Sequence, residues 1–378
     1  MKILLIFTLF CFVNIVPGLA QQESSPITIG TQHTITSSIL NQDRAIQIYT
    51  PDTYSDSTRE YPVLYILDGQ RYFLSGVSVQ TGMKNPRAIP EMIVVGITTQ
   101  NPLRRTLFGD ESEKFTDFLI KEVVQYVDSN YRTSDQRVIF GWEAAAYYLS
   151  ELILQQNEVF DGAIITDGGY ASEDLVKEFA SDKDVYLFMA NSRKDIYYIG
   201  STDAFHEVLK NYAPKNLIWK YRLFNDETHE SLPHLALYKG LKHYYHNYNS
   251  LVFESIEEYI DLGGMDYLTS YFEGRAKRFG FDKQIDNSTK NALIWLAWNR
   301  DNFEYFSLFM TEFEDVLRTE RYASAYWQNR FGQFYLKHRD YENAIKYFNA
   351  GLTQYPKRSQ HGLMHLGLTK PLLHFFFK

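Results

Sequence analysis

The stretch Arg137-Val138-Ile139-Phe140-Gly141-Trp142-Glu143-Ala144-Ala145-Ala146 decides the reading of the fold. It begins as a β-rich apolar run, passes through Gly141-Trp142-Glu143 and continues into a helix-like segment from Ala144. A strand that hands over sharply to a helix in this way forms a nucleophile elbow. Its central residue is held at positive φ, so the side chains two positions before and after must be tiny to avoid collision. Gly141 and Ala145 meet that demand, which makes Glu143 the expected tip. An ordinary strand-to-helix turn is the plainer alternative for this segment taken alone.

Outward from the elbow, residues 27 to about 248 alternate short β-rich runs with amphipathic stretches, the pattern of a mainly parallel sheet covered by helices. Strands are expected at 34–40, 45–49, 63–67, 92–98, 137–141, 162–166, 184–190 and 217–224, and helices at 113–129, 144–155, 201–211 and 232–246. The first two strands flank Asn41-Gln42-Asp43, a hairpin-type connection, so the sheet is expected to open antiparallel. Past Ser250 the β-rich runs stop and the chain becomes helical, aromatic and charged, which puts a boundary between residues 27–250 and 251–378. In the second part Gly332, Tyr335, Ala344, Phe348 and Pro356 match the small and large positions of a tetratricopeptide repeat. Trp295, Trp298, Phe303 and Phe306 suggest a degenerate partner unit. Such units stack to bury their faces, so two or so must lean on other structure. The terminal Leu372-Leu373-His374-Phe375-Phe376-Phe377-Lys378 fits no repeat position.

Lys2, the apolar run from Ile3 to Val16, and Pro17-Gly18-Leu19-Ala20 together read as a signal peptide over residues 1–20, predicting a secreted or periplasmic protein. The run is shorter than the roughly 20 apolar residues of a membrane span, so no stable membrane insertion is expected. Cleavage would remove Cys11, the one cysteine of the 378 residues, leaving no disulfide or thiolate chemistry. A formal net charge of −8 argues against nucleic acid, whose phosphates select basic surfaces. No cofactor is expected, and metal readings (His243 with His246, or Glu227 with His229) lack a zinc-type motif. The basic residues between Lys84 and Arg105 read as solvated surface.

The second chemical signal is Asn225-Asp226-Glu227-Thr228-His229-Glu230-Ser231, in the loop after the last expected strand. Together with Tyr61-Pro62-Val63-Leu64-Tyr65-Ile66-Leu67-Asp68-Gly69, Val94-Val95-Gly96-Ile97-Thr98, the elbow, Phe160-Asp161-Gly162 and Leu237-Tyr238-Lys239-Gly240-Leu241, it resembles the esterase family of α/β-hydrolases. That family includes enterochelin-esterase-like and esterase-D-like proteins. The resemblance runs from about residue 27 to 248, and the tetratricopeptide-type tail is similar to that of one bacterial branch.

The resemblance implies an α/β-hydrolase fold that hydrolyses carboxylic esters, with a serine at the elbow tip, His229 as base and an acid after the seventh strand. Asp195 is the nearest acid, with Asp203 and Glu207 also in the segment that follows. The oxyanion hole would use the backbone N–H groups of Ala144 and Gln70. This chain departs from the pattern at its centre, because Glu143 stands where the serine should. Attack by its carboxylate on an ester would form an anhydride, and its charge would sit beside the N–H groups meant for an oxyanion. Attack on saturated carbon, as by aspartate in related hydrolases, would misplace the reacting oxygen by more than the ~1 Å that already costs about a hundredfold. Other departures are Arg105-Thr106-Leu107 where Arg-Asp-Leu is usual, and Thr166-Asp167-Gly168-Gly169 where Ser-Pro is common. Ser150, two helical turns on, is too far to substitute.

The sequence therefore predicts an esterase-type homologue with serine chemistry lost or weak. The alternatives are a hydrolase of different chemistry using Glu143 and His229, or a non-catalytic protein that binds an ester-like ligand or a protein partner through the helical repeats.

Overall fold

The structure, a computed structural model, describes residues 25–354 apart from 85–87, 101, 196 and 198. The expected signal peptide, Pro356 and the terminal tail lie outside the described residues. An antiparallel hairpin, β1 (Thr31–Ser37) and β2 (Gln42–Tyr49), leads to β3 (Tyr61–Leu67), α1 (Gly69–Lys84), β4 (Ile93–Ile97) and α2 (Leu103–Leu107). A long helical stretch follows, α3 (Ser112–Phe118) passing through a π-turn at Leu119–Val124 into α4 (Gln125–Asn130). Then come β5 (Thr133–Trp142), α5 (Ala144–Gln155), β6 (Gly162–Thr166), α6 (Glu173–Lys177), β7 (Val185–Ser192), α7 (Ile199–Tyr212), β8 (Leu217–Phe224) and α8 (Leu232–Tyr244).

The eight strands form one sheet in the order β1-β2-β4-β3-β5-β6-β7-β8. Only β1–β2 and β2–β4 pair antiparallel. Strand β3 shows why its sequence reads as a continuous apolar run. Val63, Tyr65 and Leu67 enter the core on one face, and Leu64 and Ile66 the core on the other. A strand with helices on both faces has no polar side to present.

The strand expected at 34–40 is three residues early, at Thr31–Ser37, and the hairpin turn occupies 38–41 with Asn41 at φ 53°. Glu122 from the π-turn explains the early stop. Its carboxylate accepts from Ser38 N, Ser38 Oγ and Ile39 N, drawing those groups out of the ladder. Helix α1 was not expected from the sequence, because Gly76 and Gly82 weaken its helical signature. Gly76 is there for contact, since a Cβ would lie 2.2 Å from Ile66 Cδ1.

The remaining described chain is helical: α9 (Ile256–Asp261), α10 (Gly264–Phe279), α11 (Asn287–Asn299), α12 (Phe303–Glu312), α13 (Glu314–Leu317), α14 (Ala325–Lys337) and α15 (Tyr341–Gln354). These helices have a core of their own, rich in rings. Gly332 packs directly on the Phe348 ring, where a Cβ would come within 2.5 Å, and Trp295 stacks on Trp298. Helix α10 joins them to the sheet-bearing part. The Arg278 guanidinium lies 3.9 Å from the ring centre of Tyr186 and 4.5 Å from that of Tyr244, and Arg278 O accepts from Gln136 Nε2 at 3.0 Å. Among the described residues no helix is long and apolar enough to cross a membrane.

Candidate active site

Glu143 stands at the bend between β5 and α5 with φ 56° and ψ −118°. Its own N–H donates to Thr166 O at 3.0 Å, and its carbonyl accepts from Ala146 N and Tyr147 N. The steric expectation for its neighbours holds, because a Cβ on Gly141 would lie 2.8 Å from Leu149 Cδ1 and 3.0 Å from the Ala145 carbonyl. The turn thus forces a non-glycine residue into a backbone conformation that costs of order 1–3 kcal/mol.

Three loops meet the elbow at the C-terminal edge of the sheet. The loop after β8 brings His229, whose carbonyl accepts from Trp142 Nε1 at 3.1 Å and whose ring lies 4.7 Å from the Trp142 ring centre. The loop after β7 brings Asp195, 3% exposed, whose Oδ2 is 2.6 Å from His229 Nδ1. A carboxylate on Nδ1 fixes that nitrogen as the N–H and turns Nε2 into the proton acceptor of a neutral ring. Ser192 Oγ donates to Glu227 O and ties the two loops together. The competing acids are engaged elsewhere: Asp203 accepts from Tyr221 Oη at 2.7 Å, and Glu207 faces Lys210.

The third loop carries what the sequence reading missed. Arg104, in α2, is 9% exposed and is not part of a solvated basic surface. Its Nε and Nη2 each lie 2.9 Å from an oxygen of Asp68, its Nη1 lies 2.9 Å from Glu143 Oε2, and Nη2 also donates to Trp142 O. Burial opposes the guanidinium charge, but the hydrogen bonds and charge of Asp68, and then Glu143, outweigh it and hold the pKa above the ordinary arginine value. Asp68, at φ 55° directly after β3, also accepts from Thr99 Oγ1 at 2.6 Å. Arg105, the arginine singled out from the sequence, is exposed.

Gln70 lies in the first turn of α1 and Ala144 begins α5, so neither backbone N–H has an acceptor within its own helix. The Gln70 side chain bridges Thr99, donating to its carbonyl at 3.2 Å and accepting from its N–H at 3.0 Å, which fixes the loop. Ser150 is fully buried, donates to Ala146 O and accepts from Tyr170 N, so it cannot reach a ligand.

Asp167, directly after β6, is also fully buried, at φ 51°. Burial pushes its carboxyl up to about 8, against the Ser192 N–H bond and with the help of the Asp195 charge. Asp167, Asp195 and His229 offer ligand atoms within 4.8 Å of one another, a set that could hold a metal ion. However, the 2.6 Å between Asp195 and His229 is a hydrogen-bond separation. Two ligands on one tetrahedral zinc at about 2.0–2.1 Å would stand roughly 3.3 Å apart. The other metal readings are not assembled. His243 Nε2 bonds Ile218 O, with burial pushing its pKa down to about 4, and Glu227 accepts from Ser231.

The sheet order, the elbow and the histidine loop define the fold class, an α/β-hydrolase fold. An Esterase family model matches residues 37–160, a span that includes the elbow and ends before β6. The chain is 27% identical over 79 residues to the uncharacterized protein YbbA of Bacillus subtilis (strain 168), a match covering 20% of this chain and 32% of that protein. Among solved structures it is similar to an IroE-like serine hydrolase from Shewanella oneidensis (TM-score 0.55, 22% identity, 75% of this chain and 98% of that one). It is also similar to an uncharacterised protein from Capnocytophaga ochracea DSM 7271 (TM-score 0.58, 17% identity, 86% and 94%). A third likeness is to the siderophore hydrolase EstA from Aspergillus nidulans (TM-score 0.50, 14% identity, 60% and 99%). Coverage of 86% is more than residues 27–250 can supply, so the second likeness extends into the C-terminal helices.

Proposed function

We propose that this chain is an exported esterase-type homologue that keeps the shape of an ester-hydrolysing site while serine-type turnover is lost or strongly reduced. The observation that carries the reading is the ion pair between Glu143 at the elbow tip and Arg104, itself anchored on both oxygens of Asp68. A carboxylate neutralised in this way is a poor nucleophile toward an acyl carbon, and it holds the ground where a tetrahedral oxyanion would develop. His229 on Asp195 would be the residual base and acid, with the N–H groups of Ala144 and Gln70 facing an ester-like ligand. The Arg104 contact also weighs against the alternative in which Glu143 itself attacks or abstracts a proton.

The test is direct. The purified protein should turn over short acyl esters at no more than background and take no label from a serine-directed fluorophosphonate. Rapid turnover with labelling at another hydroxyl would overturn the reading.

A second role is favoured by a separate feature. Helices α11 and α14 flank an open surface cleft of about 570 Å³ lined by Trp298, Asn329, Arg330, Gln333 and Lys337 among others. With the boundary near residue 250 and the helices taken as tetratricopeptide-type units, this cleft would serve contacts with a protein partner outside the cytoplasm. Export itself rests on residues 1–20 alone.

A further inference from the structure

Asp167, directly after β6, has no part in the proposed chemistry of Glu143 and His229. The fold nevertheless spends considerable structure on it. Its Oδ1 accepts from Ser192 N at 3.3 Å and its Oδ2 from Thr166 Oγ1 at 3.1 Å, its side chain is fully buried, and a carboxyl oxygen of Asp195 lies within 4.8 Å of one of its own. Atoms of the Asp195 carboxyl from the β7 loop and the His229 imidazole from the β8 loop lie within 4.8 Å of it, and its charge also acts on the Tyr72 phenol of α1. The ion pair of Glu143 and Arg104 lies on the elbow side.

Two buried carboxyls with oxygens within 4.8 Å of each other do not both ionise readily when a single imidazole is at hand, so one proton stays with the pair. Asp195 presents Oδ2 to the Nδ1–H of His229 and must therefore be the ionised member. The proton then belongs on Asp167, which becomes a donor.

We propose that Asp167 is a positioning residue, whose protonated carboxyl donates a hydrogen bond to Asp195 and so holds the other oxygen of Asp195 on His229. This rests on the functional reading's assignment of Asp195 and His229 and is independent of Glu143, so it can be measured in the unmodified chain without substrate. No covalent step is involved. As pH rises through the Asp167 value, the proton is lost, the pair carries two negative charges, and the contact with His229 is disturbed. For the same reason the folded state retains a proton that the unfolded chain has already released above pH ~4. Stability conferred through this group is therefore highest below pH ~4 and declines as pH rises toward about 8.

The experiment follows the low-field ¹H resonance of the His229 Nδ1–H by NMR, together with the pH dependence of the urea midpoint, in wild type, Asp167→Asn and Asp167→Ala. In wild type the resonance should move near pH 8, and unfolding between pH 5 and 7 should release about one proton more than in Asp167→Asn. Asparagine keeps a donor for Asp195 and should retain the resonance at a constant position. Alanine should broaden or lose it. If Asp167→Ala does not fold, the wild-type and asparagine proton counts still decide. Equal proton counts, or a resonance that survives alanine unchanged, would overturn the proposal. Stoichiometric binding of zinc or manganese chloride at neutral pH with loss of the resonance would also overturn it, because the trio would then be a metal centre.

Discussion

The two sides of Trp142 differ in kind. On one side the buried Asp195 carboxylate lies 2.6 Å from the His229 ring, the contact that the proposed function reads as acid on base. On the other side Glu143, Arg104 and Asp68 form a charge network that leaves no hydroxyl at the elbow tip. The strained backbone conformation persists on that side even though the residue it presents cannot perform serine chemistry. The elbow is therefore maintained by the packing of β5 on α5, with Gly141 against Leu149 and Ala145, and not by its nucleophile. Shape and reactivity are separable because the first depends on the backbone and the second on one side chain.

The comparison can be broken most decisively at the tip. If the relay side is competent, Glu143→Ser should create a nucleophile within its reach. Turnover of p-nitrophenyl acetate should rise by about a hundredfold or more over wild type, with new fluorophosphonate labelling at residue 143. A folded variant with neither property would show that the relay side has drifted as well.

Next in size is Arg104→Met, which leaves the Asp68 carboxylate, 2% exposed, without its cation. Breaking a buried pair in this way costs about 3–5 kcal/mol, and urea denaturation should report a loss of that order. A loss under about 1 kcal/mol would mean that the network is not what holds this side together.

A smaller effect is expected from Glu143→Gln, since the Glu143 side chain is 27% exposed and its amide oxygen can still accept from Arg104. Stability should fall by about 1 kcal/mol or less, and ester turnover should stay at background. Abolition of an activity present in wild type would instead make Glu143 a catalytic group. A separate limb of the stability profile is acid titration of His243, whose pKa is pushed down to about 4 by burial. It must enter the folded state neutral, so its contribution is complete above pH ~6.5 and is lost as pH falls toward about 4. His243→Gln should flatten that limb of the stability profile without altering the site, as followed by urea midpoints between pH 4 and 7.

Much of the sheet was readable because burial on both faces writes a continuous apolar run, as at Tyr61–Leu67, and because the elbow's steric demands are met by residues adjacent in sequence. The helix Gly69–Lys84 was not readable, since its glycines serve contact with Ile66 at the expense of helix propensity. Arg104 was passed over for its neighbour Arg105, and Asp167 was noted only as a departure from a common Ser-Pro. Nothing in the local sequence distinguishes a buried arginine from an exposed one within Pro102-Leu103-Arg104-Arg105.

The sequence by itself determined the alternation of strand and helix, the tight bend at residue 143 and the histidine loop after the last strand, because each follows from side-chain size or periodicity over a few residues. Only the tertiary structure decided that Asp195 rather than Asp203 or Glu207 meets His229, that Arg104 neutralises Glu143, and that Asp167 lies behind the pair. Those contacts join loops from β3, β4, β5, β6, β7 and β8 at one edge of a mainly parallel sheet, where residues as far apart as Arg104 and His229 become neighbours of a single tryptophan. Such proximity is set by strand order, which no local pattern encodes.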